Sequence, residues 1–180
     1  MTRGLDRATE ARRLRDGSCS DEPPVGMGRF ELEASAPSNA RRVLERARSV
    51  MSAVLRSMDG VAGRVEPATF LPRWFLEASG PEQSLERAKA WLEQWRKLSP
   101  ADREAAEAAR RWSVSDFLYW FEPEQREWWW WGAESLGDDR VRICLVSHEV
   151  SFPHQALEWL LRAAGAASVL DEDVSRLSRR

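Results

Sequence analysis

Apolar residues recur at helical spacing through three segments in the first two thirds of the chain. They predict helices over about 39–58, 81–98 and 100–112. Ser79 and Glu82 have the spacing of a capping box in front of the second helix. Because only a short connection separates the second and third helices, the pattern predicts a helical hairpin.

Two further segments of this region give weaker patterns. Residues 63–80 contain Pro67 and Pro72, which exclude a regular helix interior or central strand and indicate an irregular or edge segment. The stretch "SVSDFLYWFEP" favours a short helix that ends before Pro123, although its aromatic residues also suit a strand.

The pattern changes to an extended one after residue 126. "REWWWWGAE", "LGDD" and "RVRICLVSHEV" predict a strand, a turn and a strand, which together form a β-hairpin. A helix is expected over about 153–164, followed by Gly165 and then a further strand at "ASVL". The predicted fold is therefore α+β, with a small antiparallel sheet in the C-terminal half packed against the helical hairpin and further helices.

The chain is expected to form one folded domain with two appended segments. Residues 1–36 are expected to form a loosely ordered N-terminal extension, with Met27 and Met51 as alternative translation starts. Within it, "TRGLDRATEARRLRD" could form a charged helix, and "GSCSDEPPVGMGR" is rich in turn-forming residues. Residues 37–172 form the single α+β domain. Residues 173–180 are expected to form a polar tail.

Charge and cysteine content narrow the classes of partner. The 180 residues carry a formal net charge of −2, which favours neither nucleic acid nor a membrane surface as a partner. The N-terminus lacks the apolar stretch of a secretory signal. Since the two cysteines do not suggest a disulfide framework, we expect a cytoplasmic protein whose cysteines are reduced.

Four consecutive tryptophans occupy residues 128–131 in the first predicted strand of the hairpin. Alternation places Trp128 and Trp130 on one face of the strand and Trp129 and Trp131 on the other. One pair can fill the core, and the other needs a second cover, which is either more of the chain, a partner or a ligand. We expect Trp129 and Trp131 to be partly exposed and to contact a partner.

Acidic residues surround the tryptophans. Against Arg126 and Arg140, the region from 120 to 140 contains six carboxylates, at Glu122, Glu124, Glu127, Glu134, Asp138 and Asp139. An acidic rim around tryptophan predicts a surface that binds a basic protein, since tryptophan is frequent among binding hot spots and the rim would attract positive charge.

Catalytic and metal-binding patterns are weak. Cys144 and His148 share a strand face if the strand continues, and such a pair could activate a thiolate. The spacing of Cys144, His148 and His154 fits no familiar zinc site, and no cofactor-binding motif occurs. We therefore expect no cofactor and no metal, with Cys144 and His148 as the only catalytic candidates.

The stretches "FLYWFEPEQREWWWWGAE" and "FPHQALEWLLRAAGA" resemble a set of small bacterial α+β proteins of unassigned activity. Residues 114–167 also resemble, in architecture, the immunity proteins of bacterial toxin systems. That resemblance implies a small cytosolic binder that neutralises a basic toxin. A small enzyme using Cys144 and His148, and a structural subunit of a larger assembly, remain the alternatives.

Overall fold

A computed structural model describes residues 5–58, 69–82 and 84–171 of the chain. The described part contains seven helices and four strands. In chain order they are α1 (Arg7–Asp16), β1 (Gly28–Ser35), α2 (Ala40–Ser57), α3 (Arg73–Ala78), α4 (Leu85–Lys97), α5 (Pro100–Ala109), α6 (Val114–Tyr119), β2 (Trp128–Leu136), β3 (Arg140–Ser147), α7 (Gln155–Ala164) and β4 (Ser168–Asp171). The predicted α+β class is confirmed.

The four strands form one antiparallel sheet in the order β2-β3-β1-β4. β2 and β3 are the predicted hairpin, whose turn places Gly137 at a positive φ of 68°. The register of β2 against β3 shifts between Trp130 and Gly132, so Trp131 occupies a bulge. β2 lies at one edge of the sheet and β4 at the other.

One face of the sheet packs against α2 and α7 and carries the main core. The apolar stripe of α2 is fully buried, and α7 buries six of its ten residues. From the sheet, Trp128, Trp130 and Ile143 enter this core. Aromatic side chains of α3 and α6, represented by Phe75 and Phe117, extend it beside α7.

The prediction of a loosely ordered extension over residues 1–36 is wrong for its described part. Residues 7–16 form α1, and residues 28–35 form β1 between β3 and β4. β1 alternates Phe30, Leu32 and Ala34 towards the core with charged residues on the other face. β1 pairs with β3 on one side and with β4 on the other, so it joins them into one four-stranded sheet. The tail over 173–180 lies outside the described residues.

Helix α1 covers the open edge of β2. Edge strands expose unpaired backbone groups that invite association. Here the Glu10 carboxylate accepts a hydrogen bond from the Trp130 backbone N–H at 2.8 Å, and Arg13 Nε donates to the Trp131 carbonyl at 2.6 Å. The N-terminal helix therefore supplies the hydrogen-bond partners that the edge strand lacks.

Glu10 is completely buried and forms an ion pair with Arg126, in the loop before β2. Burial raises the pKa of the Glu10 carboxyl, against the opposing effects of the Arg126 guanidinium and the Trp130 N–H. Because a buried charge is costly without its partner, this pair fixes α1 to the start of β2.

The helical hairpin forms from α4 and α5, with a later start than the sequence indicates. Ser84, rather than Ser79, caps α4 by accepting from the Arg87 backbone N–H. Ser79 instead follows the last residue of α3, where its hydroxyl donates to the Phe75 carbonyl. α3 is the regular part of the segment predicted to be irregular. Residues 63–68 of that segment lie outside the described residues.

Candidate functional site

The chain itself buries both pairs of tryptophans in the run. Trp128 and Trp130 are 1% and 0% exposed in the main core, as the alternation predicts. Trp129 and Trp131 lie on the opposite face and are 9% and 8% exposed. The expectation that this second pair is partly exposed is therefore wrong.

The N-terminal segment supplies the second cover. Leu5 and Met27 pack against Trp129 and Trp131, and the Arg13 guanidinium lies 3.8 Å from the centre of the Trp131 ring. The Trp131 indole N–H donates to the Asp21 carbonyl at 3.1 Å. The cover that the second pair requires is therefore more of the chain, and not a partner or a ligand.

The six predicted acidic residues lie in two groups at opposite ends of β2. Glu122, Glu124 and Glu127 are exposed in the loop before the strand, and Glu134, Asp138 and Asp139 lie at or near the hairpin turn. A strand of nine residues spans roughly 27–30 Å. The structure therefore does not bring the six carboxylates together around the tryptophans.

The second group also has partners within the chain. Glu134 pairs with Arg142 at 3.4 Å. Asp139 accepts a hydrogen bond from the Ser38 backbone N–H at 2.8 Å. Asp138 is exposed at the turn, as Glu122, Glu124 and Glu127 are in the loop before β2.

Cys144 is not available as a thiolate nucleophile, because it forms a disulfide with Cys19. The two Cα atoms are 5.4 Å apart, and both residues are buried. The bond joins the N-terminal segment to β3, so the expectation of two unpaired cysteines is wrong. His148 is exposed and its Nδ1 lies 3.0 Å from the Gly26 carbonyl. Within the described ranges, no three potential ligands are grouped as a metal site requires.

An open cleft of about 790 Å³ lies beside α7, and we call it the aromatic cleft. A volume of this size falls within the range of ligand-binding pockets. α6, α7 and the segments preceding them form its walls. The lining residues are Arg110, Trp112, Asp116, Tyr119, Trp120, Pro153, Gln155, Glu158, Trp159 and Arg162.

Local backbone contacts fix the position of Trp112 in the cleft. The Gly80 backbone N–H donates to the Trp112 carbonyl at 2.7 Å. A Cβ at residue 80 would lie 2.6 Å from the Arg111 carbonyl oxygen, so only glycine allows this approach. The Trp112 ring stacks on Trp159 of α7, with centroids 6.3 Å apart and planes inclined by 18°. The two indoles form the inner wall.

The outer wall comes from Tyr119 and Trp120, at the C-terminal end of α6. Ser113 caps α6 by accepting from the Asp116 N–H at 3.1 Å. Phe117 then faces the core, whereas Tyr119 is 44% exposed and Trp120 is half-buried. Tyr119 and Trp120 meet edge to face at 5.4 Å.

Ion pairs hold the charged side chains of the cleft. Arg110 contacts Asp116 at 3.2 Å. Glu158 accepts from His154 at 3.2 Å and lies 3.5 Å from Arg162. The hydrogen bond from His154 holds the pKa of Glu158 below its ordinary value, with a smaller electrostatic contribution from Arg162.

Sequence patterns contain one signal for the aromatic cleft. In "SVSDFLYWFEP", Phe117, Leu118 and Phe121 fall on the helical core stripe, but Tyr119 and Trp120 do not. Large aromatic residues away from the core stripe of a helix indicate an interaction surface. Trp112, Trp159 and the charged residues could not be assigned to the same site without knowing how α6 and α7 pack.

No protein-family model matches the chain, and no curated protein or solved structure matches it either. None of the helices in the described ranges combines the length and the apolar composition that a bilayer-spanning segment needs.

Proposed function

We propose that the protein is a protein-binding module and that the aromatic cleft is its binding site. One observation carries the proposal: four large aromatic side chains, at Trp112, Tyr119, Trp120 and Trp159, line one open concave surface. Tryptophan and tyrosine supply large contact area with little loss of rotamer freedom, and they are frequent among binding hot spots.

We further propose that the partner is basic. Glu122 and Glu124 are exposed in the turn that follows Trp120, and the Glu122 backbone N–H donates to the carbonyl of the cleft residue Tyr119 at 3.1 Å, so the turn that carries the two carboxylates adjoins the cleft. Complementary charge accelerates association and selects among partners. Of the acidic surface that the sequence predicts, Glu122 and Glu124 support the proposal. Trp129 and Trp131 do not contribute to it, because the N-terminal segment covers them.

An immunity-type binder that neutralises a basic toxin in the cytoplasm is the specific form of this proposal. The Cys19–Cys144 disulfide bears on the location, because such bonds are rare in reducing compartments. In a reducing cytoplasm, Cys19 and Cys144 would be two thiols packed against each other. The other contacts of the N-terminal segment, such as the hydrogen bonds of Glu10 and Arg13 with β2, would then hold that segment against the sheet.

Affinity capture from a lysate of the source organism tests the proposed function. The wild type is compared with Tyr119→Ala, which removes an exposed ring from the cleft. Leu170→Ala is the matched control, since Leu170 is 62% exposed on β4 at the far edge of the sheet. We expect one basic protein to be recovered in stoichiometric amount by the wild type and the control, and to be lost with Tyr119→Ala.

Two results would count against the proposal. One is a partner that all three forms recover equally, which would put the binding surface elsewhere. The other is the absence of any stoichiometric partner while a small molecule copurifies with the wild type, which would make the cleft a ligand site. Thermal denaturation of each variant shows whether it is folded.

A further inference from the structure

In four places the protein puts an arginine over the indole ring of a tryptophan that does not line the aromatic cleft. Four tryptophans carry a guanidinium 3.8–4.9 Å from a ring centre. The pairs are Arg13 with Trp131, Arg46 with Trp74, Arg103 with Trp95 and Arg110 with Trp91. Such contacts are favourable because the negative face of the aromatic ring attracts a cation.

The tryptophans of the cleft lack this partner. Over the described ranges, no arginine or lysine of the chain lies on the ring of Trp112, Trp120 or Trp159. All three indoles line the open cleft. Trp112 and Trp120 are half-buried, so a cation from outside the chain can reach their rings, whereas Trp159 is 8% exposed and stacks on Trp112.

The charges in and around the cleft favour a cationic ligand over an anionic one. Arg110 and Arg162 line the cleft, but Asp116 and Glu158 lie beside them as counterions. The lining is therefore neutral in sum. Glu122 and Glu124 in the adjoining loop are exposed, and the exposed arginine nearest to them in sequence, Arg111, donates to the carbonyls of residues 77–79.

We propose that the aromatic cleft recognises arginine side chains in a basic segment of the partner protein. The guanidinium groups stack on the indoles of Trp112 and Trp120, and Glu122 and Glu124 attract their positive charge. A planar guanidinium suits flat indole walls better than a compact ammonium does. This inference rests on the proposed function, because it names the chemistry of the partner at the same site.

Titration of the full chain with defined peptides tests the inference, with the indole N–H signals observed by NMR. The probes are acetyl-Gly-Arg-Arg-Gly-amide and the same peptide with citrulline or glutamate at both arginine positions. Citrulline keeps the shape of arginine but has no charge. Trp112→Phe and Trp120→Phe assign the signals of the two wall indoles.

We expect the arginine peptide to shift the Trp112 and Trp120 signals saturably, and the citrulline peptide to bind at least about threefold more weakly. The double variant Glu122→Gln with Glu124→Gln should bind the arginine peptide about two- to fivefold more weakly. The matched control, Glu22→Gln with Asp138→Asn, also removes two exposed carboxylates but leaves the loop unchanged, and its affinity should equal that of the wild type.

Equal binding of the arginine and citrulline peptides, preferential binding of the glutamate peptide, or no saturable shift at the two indoles would overturn the inference. A partner captured through the cleft while all peptides fail would leave the proposed function intact and refute only the arginine specificity. An arginine-specific cleft without a captured partner protein would instead refute the proposed function.

Discussion

Breaking the Cys19–Cys144 disulfide should cost a large part of the folding stability. The bond joins residues 125 positions apart, so it constrains most of the unfolded chain. For a loop of that length, the chain-entropy relation gives about 16 cal/mol/K, or about 5 kcal/mol at room temperature. Since domains of this kind are stable by about 5–15 kcal/mol, the loss would be a third of the total or more.

Urea unfolding of the oxidised protein, the reduced protein and Cys19→Ala measures this loss. We expect reduction and Cys19→Ala to lower the midpoint by a similar amount, about 2 M. The reductant should leave the midpoint of Cys19→Ala unchanged, which controls for effects of the reductant itself. The hydrogen bond that Arg13 donates to β2 and the one that Glu10 accepts from it remain in both forms, so the N-terminal segment should stay folded below the midpoint.

Equal midpoints for the oxidised and reduced wild type would refute this reasoning, provided that intact mass confirms the bond in the oxidised sample. Such a result would mean that unfolded-state structure already brings the two cysteines together. Failure of the bond to form under oxidising conditions would contradict the packing of the N-terminal segment against β3.

Three further perturbations test other parts of the structure. Glu10→Ala leaves Arg126 buried without its carboxylate and should lower the free energy of unfolding by about 3–5 kcal/mol in urea; a loss below about 1 kcal/mol would contradict the buried ion pair. The lowered pKa of Glu158 means that its ionised form stabilises the fold above the ordinary value of 4.5 and that this contribution disappears as the pH falls through the folded pKa. The stability of the wild type should therefore exceed that of Glu158→Gln at neutral pH and approach it in acid, whereas a difference that stays constant with pH would argue against the ionised hydrogen bond. Gly132→Ala places a Cβ 2.5 Å from the Ser18 carbonyl carbon and should cost about 1–3 kcal/mol in thermal denaturation, while Gly28→Ala, whose nearest contact is an aromatic edge at 3.3 Å, should cost less; equal losses would mean that the N-terminal segment can move away from β2.

Local patterns predicted the elements whose hydrophobic period is unambiguous. The stripe of α2, the β2–β3 hairpin and α7 with its αL glycine all occur where the spacing indicated. β1 could also have been found, because Phe30, Leu32 and Ala34 alternate with charged residues. The turn-forming residues before β1 made the whole segment resemble a loop, so the short alternation was not assigned to a strand.

Long-range features could not be deduced in the same way. The tryptophan run indicated that the face of Trp129 and Trp131 needs a cover, but no local signal identified residues 5–27 as that cover. Cys19 and Cys144 are 125 residues apart, and their pairing depends on that same cover. The aromatic cleft combines α6, α7 and the segment containing Trp112, which meet only in the folded protein.

Site-specific photocrosslinking in cells of the source organism tests most directly whether the aromatic cleft binds a basic protein. A photoreactive phenylalanine analogue replaces Tyr119 in the cleft and, as a control, the fully exposed Val25 on the N-terminal segment. We predict one crosslinked protein that is specific to position 119, with arginine residues in the peptide attached to the analogue. Crosslinks of equal yield at both positions, or an attached peptide that is acidic, would contradict the account.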